Sequence, residues 1–303
     1  MKTLIKALLH SIPYIRNMRL QLERYQTMYP PGHYYSPIVD ARELAPIRTI
    51  IFSRKSRPIE GIDLGRHAQF QLLQAFAWHY YDSVPFPADQ QSDFRYYFEN
   101  DLFSYGDAII LHSMLRHFRP RRIIEAGSGF SSAVMLDTSE LFLDNALTLT
   151  CIDPNPERLH SLLRREDKKN LTVLETKLQV VPLETFDTLA ENDIFFVDST
   201  HVAKTGSDVN YIFFEILPRL KSGVLIHFHD IFYPFEYPEE WVLGWKGFGW
   251  NESYMLRNFM MYNACFEIVF FNSFMHQHYG TWISENMPLC TYNPGGSIWL
   301  RKK

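Results

Sequence analysis

The chain has 303 residues, of which 46% are hydrophobic and 21% charged, and its formal net charge is −4 at pH 7. This composition is that of an ordinary globular protein, and the length allows one large domain or a domain with a substantial extension. Because phosphate backbones are bound by basic faces, the acidic balance argues against nucleic acid as the main partner.

The N-terminal 26 residues mix apolar positions with the cationic residues Lys2, Lys6, Arg16 and Arg19. They contain neither a clean apolar segment nor a small-residue cleavage site, so no signal peptide is predicted. We expect a helix that packs on its own domain or on a second copy of the chain, in a homo-oligomer. A helix lying on a membrane surface is the alternative.

No stretch of the sequence approaches the ~20 apolar residues that a transmembrane helix requires. The three cysteines are widely separated and show neither zinc-binding spacing nor a disulfide pattern. Reduced thiols in a cytoplasmic protein are therefore expected.

The chain changes character near residue 100. Before residue 100 the chain is irregular, and segments at 30–37, 53–58 and 84–87 break it into short pieces. One amphipathic helix is indicated within 61–82. We predict a helical and irregular N-terminal extension over residues 1–100, packed on the core and shaping its pocket. Residues 101–303 are predicted to form the second domain.

From residue 102 onward, strand and helix patterns alternate. Strands are predicted at 121–127, 147–153, 171–176, 193–198, 223–230, 264–271 and 297–302, the last of these as an edge strand. Helices are predicted at 104–118, 131–143, 156–166, 183–190, 207–220 and 252–263. Near-continuous apolar strands alternating with amphipathic helices indicate a parallel sheet covered on both faces. The predicted fold is an α/β, Rossmann-like three-layer sandwich with a mostly parallel seven-stranded sheet.

Four predicted strands end in a carboxylate: Glu125, Asp153, Asp198 and Asp230. Ligands of open parallel sheets bind outside the carboxyl ends of the strands. We therefore expect these four acids to mark one binding site.

A glycine-containing turn, EAGSGFSS at 125–132, follows the first predicted strand and begins a helix. Gly127 and Gly129 permit a tight turn and a close approach of the backbone to a ligand. Asp153, after the second strand, can accept both hydroxyl hydrogens of a ribose, and capping of the next helix is its structural alternative. Glu125 would repel a pyrophosphate but suits a cationic ligand, which favours S-adenosylmethionine (SAM) over NAD.

The sequences DSTH (198–201) and HFHD (227–230) close the fourth and fifth strands. A hydroxyl acceptor needs a base, a metal ion or both to become a nucleophile. Asp198 and Asp230 can share a divalent cation such as Mg²⁺, and His201, with an ordinary pKa of ~6.5, suits the role of base. His229 is the third candidate ligand, or a residue supporting the ligands, and its nitrogen would favour metals such as Mn²⁺. A structural role for His201 and Asp198 is the alternative.

These motifs resemble a class I SAM-dependent methyltransferase over about residues 102–303. Within that class, the D-x-x-H of 198–201 resembles the metal-dependent O-methyltransferases that act on sugars of macrolides and related small molecules. The departure is His229, where that branch usually carries Glu or Asp.

The resemblance assigns roles to particular residues of this sequence. It implies that Asp198 and Asp230 bind the metal, together with His229, and that His201 is the base. The residues implied in donor binding are Glu125, Gly127, Ser128, Gly129 and Asp153, with Gln179 or Glu175 beside the adenine.

The functional hypothesis is a SAM-dependent O-methyltransferase with a sugar, glycoconjugate or small secondary metabolite as acceptor. An NAD-dependent oxidoreductase and a non-catalytic methyltransferase-like binding subunit are the alternatives. The aromatic segment 233–254, with Trp241, Trp245 and Trp250, is predicted to cover the site.

Overall fold

The computed structural model describes residues 12–25, 28–30, 32–52, 59–244 and 249–303. Its strands are β1 (Arg122–Ala126), β2 (Thr148–Ile152), β3 (Leu171–Leu174), β4 (Ile194–Val197), β5 (Leu225–His229), β6 (Phe266–Phe271) and β7 (Ser297–Lys302). They form one sheet in the order β3-β2-β1-β4-β5-β7-β6. Strands β1 to β5 are parallel, whereas β7 runs antiparallel to both β5 and β6.

The α-helices are α1 (Pro13–Tyr25), α2 (Ala41–Leu44), α3 (Arg48–Phe52), α4 (Arg66–His79), α5 (Tyr105–Phe118), α6 (Phe130–Phe142), α7 (Glu157–Leu162), α8 (Asp208–Tyr211), α9 (Leu217–Arg219), α10 (Glu239–Leu243), α11 (Glu252–Met260) and α12 (Asn272–Asn286). A π-helical turn, Ile212–Ile216, joins α8 to α9. Short 3₁₀ helices lie at Ala45–Ile47, Tyr81–Ser83, Arg165–Lys169, Leu178–Val180, Leu183–Thr188 and Pro288–Thr291.

The centre of the sheet is the core of the molecule. Every residue of β4 and of β5 is buried, as expected for parallel strands with helices on both faces. The predicted seven-stranded, mostly parallel α/β sandwich is confirmed. The parallel strands have their carboxyl ends at one edge of the sheet, so the turns after β1, β2, β4 and β5 lie along that edge.

Three details of the sequence prediction are wrong. Strand β7 is not an edge strand, because it pairs with both β5 and β6, and its residues Ile298, Trp299 and Leu300 are fully buried. The predicted helix at 183–190 is a 3₁₀ helix, Leu183–Thr188. Helix α12 was not predicted, since its apolar residues do not fall on one face and Tyr279 has non-helical backbone angles.

The chain divides into two compact units, one within residues 1–53 and 239–249 and the other within 54–238 and 250–303. In the described part, the first contains α1 to α3 and α10, and the second contains the whole sheet. The predicted boundary near residue 100 stays a prediction about domain organisation. Among the described residues, no helix has the length and apolar character needed to cross a bilayer.

One buried ion-pair network connects the segment before α5 to α6 and to the 3₁₀ helix Arg165–Lys169. The Arg95 guanidinium contacts Asp137 and Glu140 of α6, at 2.6 and 2.8 Å, and Asp167 at 2.5 Å. The backbone N–H groups of Arg95 and Tyr96 also donate to Asp137. Residues around position 95 are therefore fixed by charge as well as by packing.

Candidate functional site

A cleft of about 630 Å³ lies at the carboxyl ends of the parallel strands. Eight of the ten predicted site residues line it: Gly127, Ser128, Asp153, Gln179, Asp198, His201, His229 and Asp230. Glu125 and Gly129 do not. The remaining lining includes the cations Arg158, Lys177 and Lys204 and the indole of Trp250.

The turn after β1 passes very close to the end of β4. Gly127 has φ +93°, and a Cβ on it would lie 1.8 Å from the carbonyl oxygen of Asp198. Its N–H donates to the carbonyl of Ile152 at the end of β2. Only glycine fits this position, so the turn holds the ends of β1, β2 and β4 at one place.

Glu125 is buried beneath the turn. Ser131 Oγ donates to its Oε1 at 2.5 Å, while the Ser132 hydroxyl and the Cys151 thiol donate to Oε2. Burial raises the pKa of Glu125 to about 7, although these three donors act in the opposite direction. The predicted contact of Glu125 with a cationic ligand is not supported by this position, because its carboxylate faces the start of α6 rather than the cleft.

Asp153 faces the cleft from the end of β2. Its Oδ2 accepts from Ser128 Oγ at 2.7 Å, and its Oδ1 accepts from the N–H of Asn155 at 2.8 Å. It does not cap α7, whose N-cap residue is Pro156. Each carboxylate oxygen keeps lone pairs for a ligand, since an ionised carboxylate accepts about four hydrogen bonds.

The two residues predicted beside the adenine are placed differently. Gln179 lines the cleft, and its side-chain amide donates to the carbonyl of Gly206 at 2.9 Å. Glu175 pairs with the exposed His160 at 3.1 Å and is not part of the lining. Of the two alternatives, the geometry therefore favours Gln179.

His201 is the centre of a group of carboxylates. Its Nε2 lies 3.5 Å from Asp198 Oδ1 and 3.6 Å from Asp230 Oδ2, and its Nδ1 lies 2.8 Å from Glu252 Oε2. His201 and Asp230 have φ values of +57° and +55°, in the left-handed region that non-glycine residues rarely adopt. Such backbone strain persists only where the surrounding structure enforces it, and it is concentrated at functional sites.

Burial and neighbouring charges act together on the pKa values of this group: that of Asp198 is lowered, and those of Asp230 and His201 are raised. Burial alone would raise the pKa of Asp198, but the neighbouring His229 and His201 lower it to about 2. For Asp230 burial prevails and raises the pKa to about 6. Burial alone would lower the pKa of His201, but Asp198 and Glu252 raise it well above its ordinary value. Without a cationic ligand, the site therefore favours the imidazolium form of His201.

His229 lies beside this group. Its Nε2 is 3.8 Å from Asp230 Oδ1, and its Nδ1 has no hydrogen-bond partner within the described part of the chain. Its ring follows that of His227 on the same face of β5, with centroids 5.7 Å apart. The described residues contain no group of three or more His, Cys, Asp or Glu side chains arranged to hold a metal ion. The metal set Asp198, His229 and Asp230 stays a prediction.

Sequence reasoning missed one residue of the site, Glu252, and predicted another, Trp250, only as part of a covering segment. Glu252 begins α11, and no spacing in the sequence links it to His201, which precedes it by 51 positions. Trp250 packs on His201 with ring centroids 4.4 Å apart. It belongs to the aromatic segment predicted to cover the site, whereas Trp245 of that segment lies outside the described residues.

The loop after β4 is held by its own polar contacts. Asp208 accepts hydrogen bonds from the N–H and the hydroxyl of Thr200, at 3.0 and 2.6 Å. Ser207 caps α8 by accepting from the N–H of Asn210. These contacts keep residues 198–208 at the cleft without using Asp198 as a cap.

Part of the chain matches a known domain family. A methyltransferase domain matches residues 124–231. An uncharacterised protein of Archaeoglobus fulgidus is 33% identical over 172 residues, which cover 55% of this chain and 76% of that protein.

Solved structures are more distant. An SAH-bound methyltransferase of Podospora anserina is 14% identical, with a TM-score of 0.42, and 92% of this chain and 99% of that one are covered. The O-methyltransferase TomG of Streptomyces achromogenes, in complex with SAM, is 14% identical, with a TM-score of 0.39 and coverages of 84% and 96%.

Proposed function

Since this chain belongs to a methyltransferase family, we propose that its cleft binds SAM and that a hydroxyl oxygen is the methyl acceptor. The observation that carries the proposal is the arrangement of acids around one imidazole in the cleft. Asp198 and Asp230 both approach His201 Nε2, and the same cleft contains Asp153 with lone pairs available for a ribose.

The residues fit the donor in chemistry. Gly127 leaves backbone exposed at the turn, and Asp153 and Ser128 present polar groups next to it. Asp198 and Asp230 supply the negative charge that a sulfonium group requires. When bound, SAM supplies a methyl carbon that the acceptor oxygen attacks, and the electron pair of the broken C–S bond stays on sulfur.

His201 has the geometry of a base for this reaction. Its Nε2 faces the cleft between two carboxylates and would accept the proton of the acceptor hydroxyl. Asp198 and Asp230 would then stabilise the imidazolium that forms. The positive charge of a bound donor offsets these carboxylates, which lowers the pKa of His201 and makes its neutral form available.

A divalent cation is a separate part of the proposal. Two carboxylates, Asp198 and Asp230, and the imidazole of His229 are donor types that Mg²⁺ or Mn²⁺ accept. This part rests on donor chemistry alone. We expect Mn²⁺ to raise the unfolding midpoint, EDTA to reverse the rise, and Asp198→Asn to remove it. An identical rise in Asp198→Asn would mean that the ion binds elsewhere.

The class of molecule that carries the acceptor hydroxyl is proposed from the lining of the cleft. Trp250 lines the cleft beside His201, and a flat indole can stack on a sugar or another ring. A sugar, glycoconjugate or small secondary metabolite is therefore proposed, in a cytoplasmic setting that agrees with the three free cysteines.

Thermal unfolding separates this function from an NAD-dependent oxidoreductase. The cleft also carries Arg158, Lys177 and Lys204, so an anionic cofactor needs to be tested directly. We expect S-adenosylhomocysteine (SAH) to raise the unfolding midpoint and NADH to leave it unchanged. A rise with NADH and none with SAH would overturn the proposal.

A further inference from the structure

A carboxylate outside the cleft holds the proposed base. Glu252 is fully buried, and its Oε2 lies 2.8 Å from Nδ1 of His201. It is not among the residues that line the cleft. Its contact with the site is therefore made through His201.

The same helix start also fixes the backbone of the base. The N–H groups of Asn251 and Glu252 donate to the carbonyl of His201, at 3.1 and 3.2 Å. The side chain of Asn251 bonds the N–H and the carbonyl of Ala203, at 2.6 and 3.2 Å. The left-handed conformation of His201 is thus held by residues at the start of α11, through its own carbonyl and through Ala203.

The surroundings of the Glu252 carboxylate make His201 its main partner. It is the first residue of α11, where the helix dipole favours a negative charge. Its other oxygen, Oε1, is buried and has no hydrogen-bond partner in the part of the chain that the structure describes. His201 therefore provides the compensation that a buried carboxylate requires.

We propose that Glu252 is the positioning residue of this site: it accepts the Nδ1–H of His201 and so presents the other ring nitrogen, Nε2, to the cleft between Asp198 and Asp230. A histidine with one nitrogen fixed by a carboxylate has a defined tautomer, and its free nitrogen is the one that can take a proton. The inference deepens the proposed function, since it assumes that His201 is the base.

The protonation of Nδ1 can be read directly by long-range ¹H–¹⁵N NMR of protein labelled at its 12 histidines. The signals of His201 are those that disappear in His201→Gln. With the pH raised until the His201 imidazole is neutral, we expect its one proton to lie on Nδ1 in the wild type and in Glu252→Gln, whose amide oxygen can still accept. In Glu252→Met, of similar volume, we expect Nδ1 to lose its proton and Nε2–H to become the neutral form.

Two controls make the result decisive. Glu184→Gln removes an exposed first-turn carboxylate of a 3₁₀ helix and should leave the His201 signals unchanged. If Glu252→Met does not fold, the wild type and Glu252→Gln still test the inference, because an unprotonated Nδ1 in both would refute it. In the neutral imidazole, an unprotonated Nδ1 in the wild type, or a protonated Nδ1 in folded Glu252→Met, would overturn the inference.

Binding of SAH separates this inference from the proposed function. Because Glu252 does not line the cleft, SAH should bind folded Glu252→Met with an affinity within a few-fold of the wild type. Failure of the wild type to bind SAH would refute the proposed function while leaving the NMR result intact. A protonated Nδ1 that depends on Glu252 would then still establish the positioning contact.

Discussion

At the scale of single residues, His201 is assigned to the chemical step, and donor binding is assigned to other residues. Its Nε2 faces Asp198 and Asp230, whereas donor recognition is assigned to Asp153 at another part of the cleft. We expect His201→Ala to lower methyl transfer by roughly 10²–10⁴-fold, the usual contribution of a general base. Transfer of a radiolabelled methyl group to a panel of hydroxylated sugars and glycosides measures this loss.

SAH affinity is the control for that experiment, and His201→Ala should keep it. Full transfer activity in His201→Ala would mean that His201 is not the base. A loss of SAH affinity equal to the loss of transfer would mean that the residue acts in binding.

Glu125 gives a pH-dependent prediction at the same scale. Its pKa rises from an ordinary 4.5 to about 7 in the fold because of burial. Since the folded protein holds this proton more tightly, the contribution to stability is complete below pH 4.5 and is lost as pH rises towards 7. The loss amounts to roughly 3 kcal/mol.

The substitution Glu125→Gln should remove that slope. Urea unfolding at several pH values between these limits measures the difference in unfolding free energy between the two proteins. The wild type should lose stability relative to Glu125→Gln as pH rises. A difference that stays constant over this range would contradict the assigned pKa.

Residues of the site differed in how far the sequence could predict them. Asp153, Asp198 and Asp230 end strands, so the topology of a parallel sheet brings them together. Glu125 was predicted to end a strand but lies within β1, and Ser131 and Ser132 donate to its carboxylate and keep it out of the cleft. Glu252 lies in a different part of the chain, and only tertiary packing brings it to His201.

At the scale of elements, the turn between β1 and α6 is the most constrained. A side chain on Gly127 would overlap the backbone carbonyl of Asp198. We expect Gly127→Ala to destabilise the protein by about 3 kcal/mol or more, because the clash is with backbone and the φ is positive. Urea unfolding measures the effect.

Gly206 is the matched control for that turn. It also has a positive φ, +73°, but a Cβ there meets nothing within 4 Å. Gly206→Ala should therefore cost only the backbone strain, about 1 kcal/mol. Equal costs for the two substitutions would show that the close approach to Asp198 contributes nothing.

The ion-pair network around Arg95 gives a second prediction for an element. Removing the guanidinium leaves the buried carboxylates of Asp137 and Asp167 without their partner. We expect Arg95→Met to lower the unfolding free energy by about 3–5 kcal/mol. The exposed pair Arg219–Asp187 is the control, and Arg219→Met should cost less than about 1 kcal/mol. An equally small cost at Arg95 would argue against the network as an anchor.

Elements with strong periodicity were predicted well. Strands β1 to β6 lie within the predicted ranges. For β1 to β5 the reason is that a parallel strand of a covered sheet is an apolar run between polar turns. Strand β7 was also found, but its position in the sheet was wrong, since pairing with β5 and β6 depends on contacts distant in the chain. Helix α12 was missed because its apolar residues do not fall on one face of the helix.

At the scale of the whole molecule, the sheet brings the carboxylates of the site to one of its edges. The seven-stranded order places the ends of β1, β2, β4 and β5 around one cleft. The sequence predicted this arrangement because strand direction determines which ends meet. The division of the chain into its two compact units could not be predicted, since α10 joins the N-terminal unit from a distant point in the sequence.

Isothermal titration of the whole protein with SAM measures donor binding and the part that Asp153 has in it. We expect the wild type and the exposed-site control Asp89→Ala to bind one equivalent with equal affinity. Asp153→Ala should bind at least about 100-fold more weakly, because charged hydrogen bonds to the ribose are lost. Wild-type protein that takes up no SAM, or Asp153→Ala that binds it as tightly as the wild type, would contradict the account.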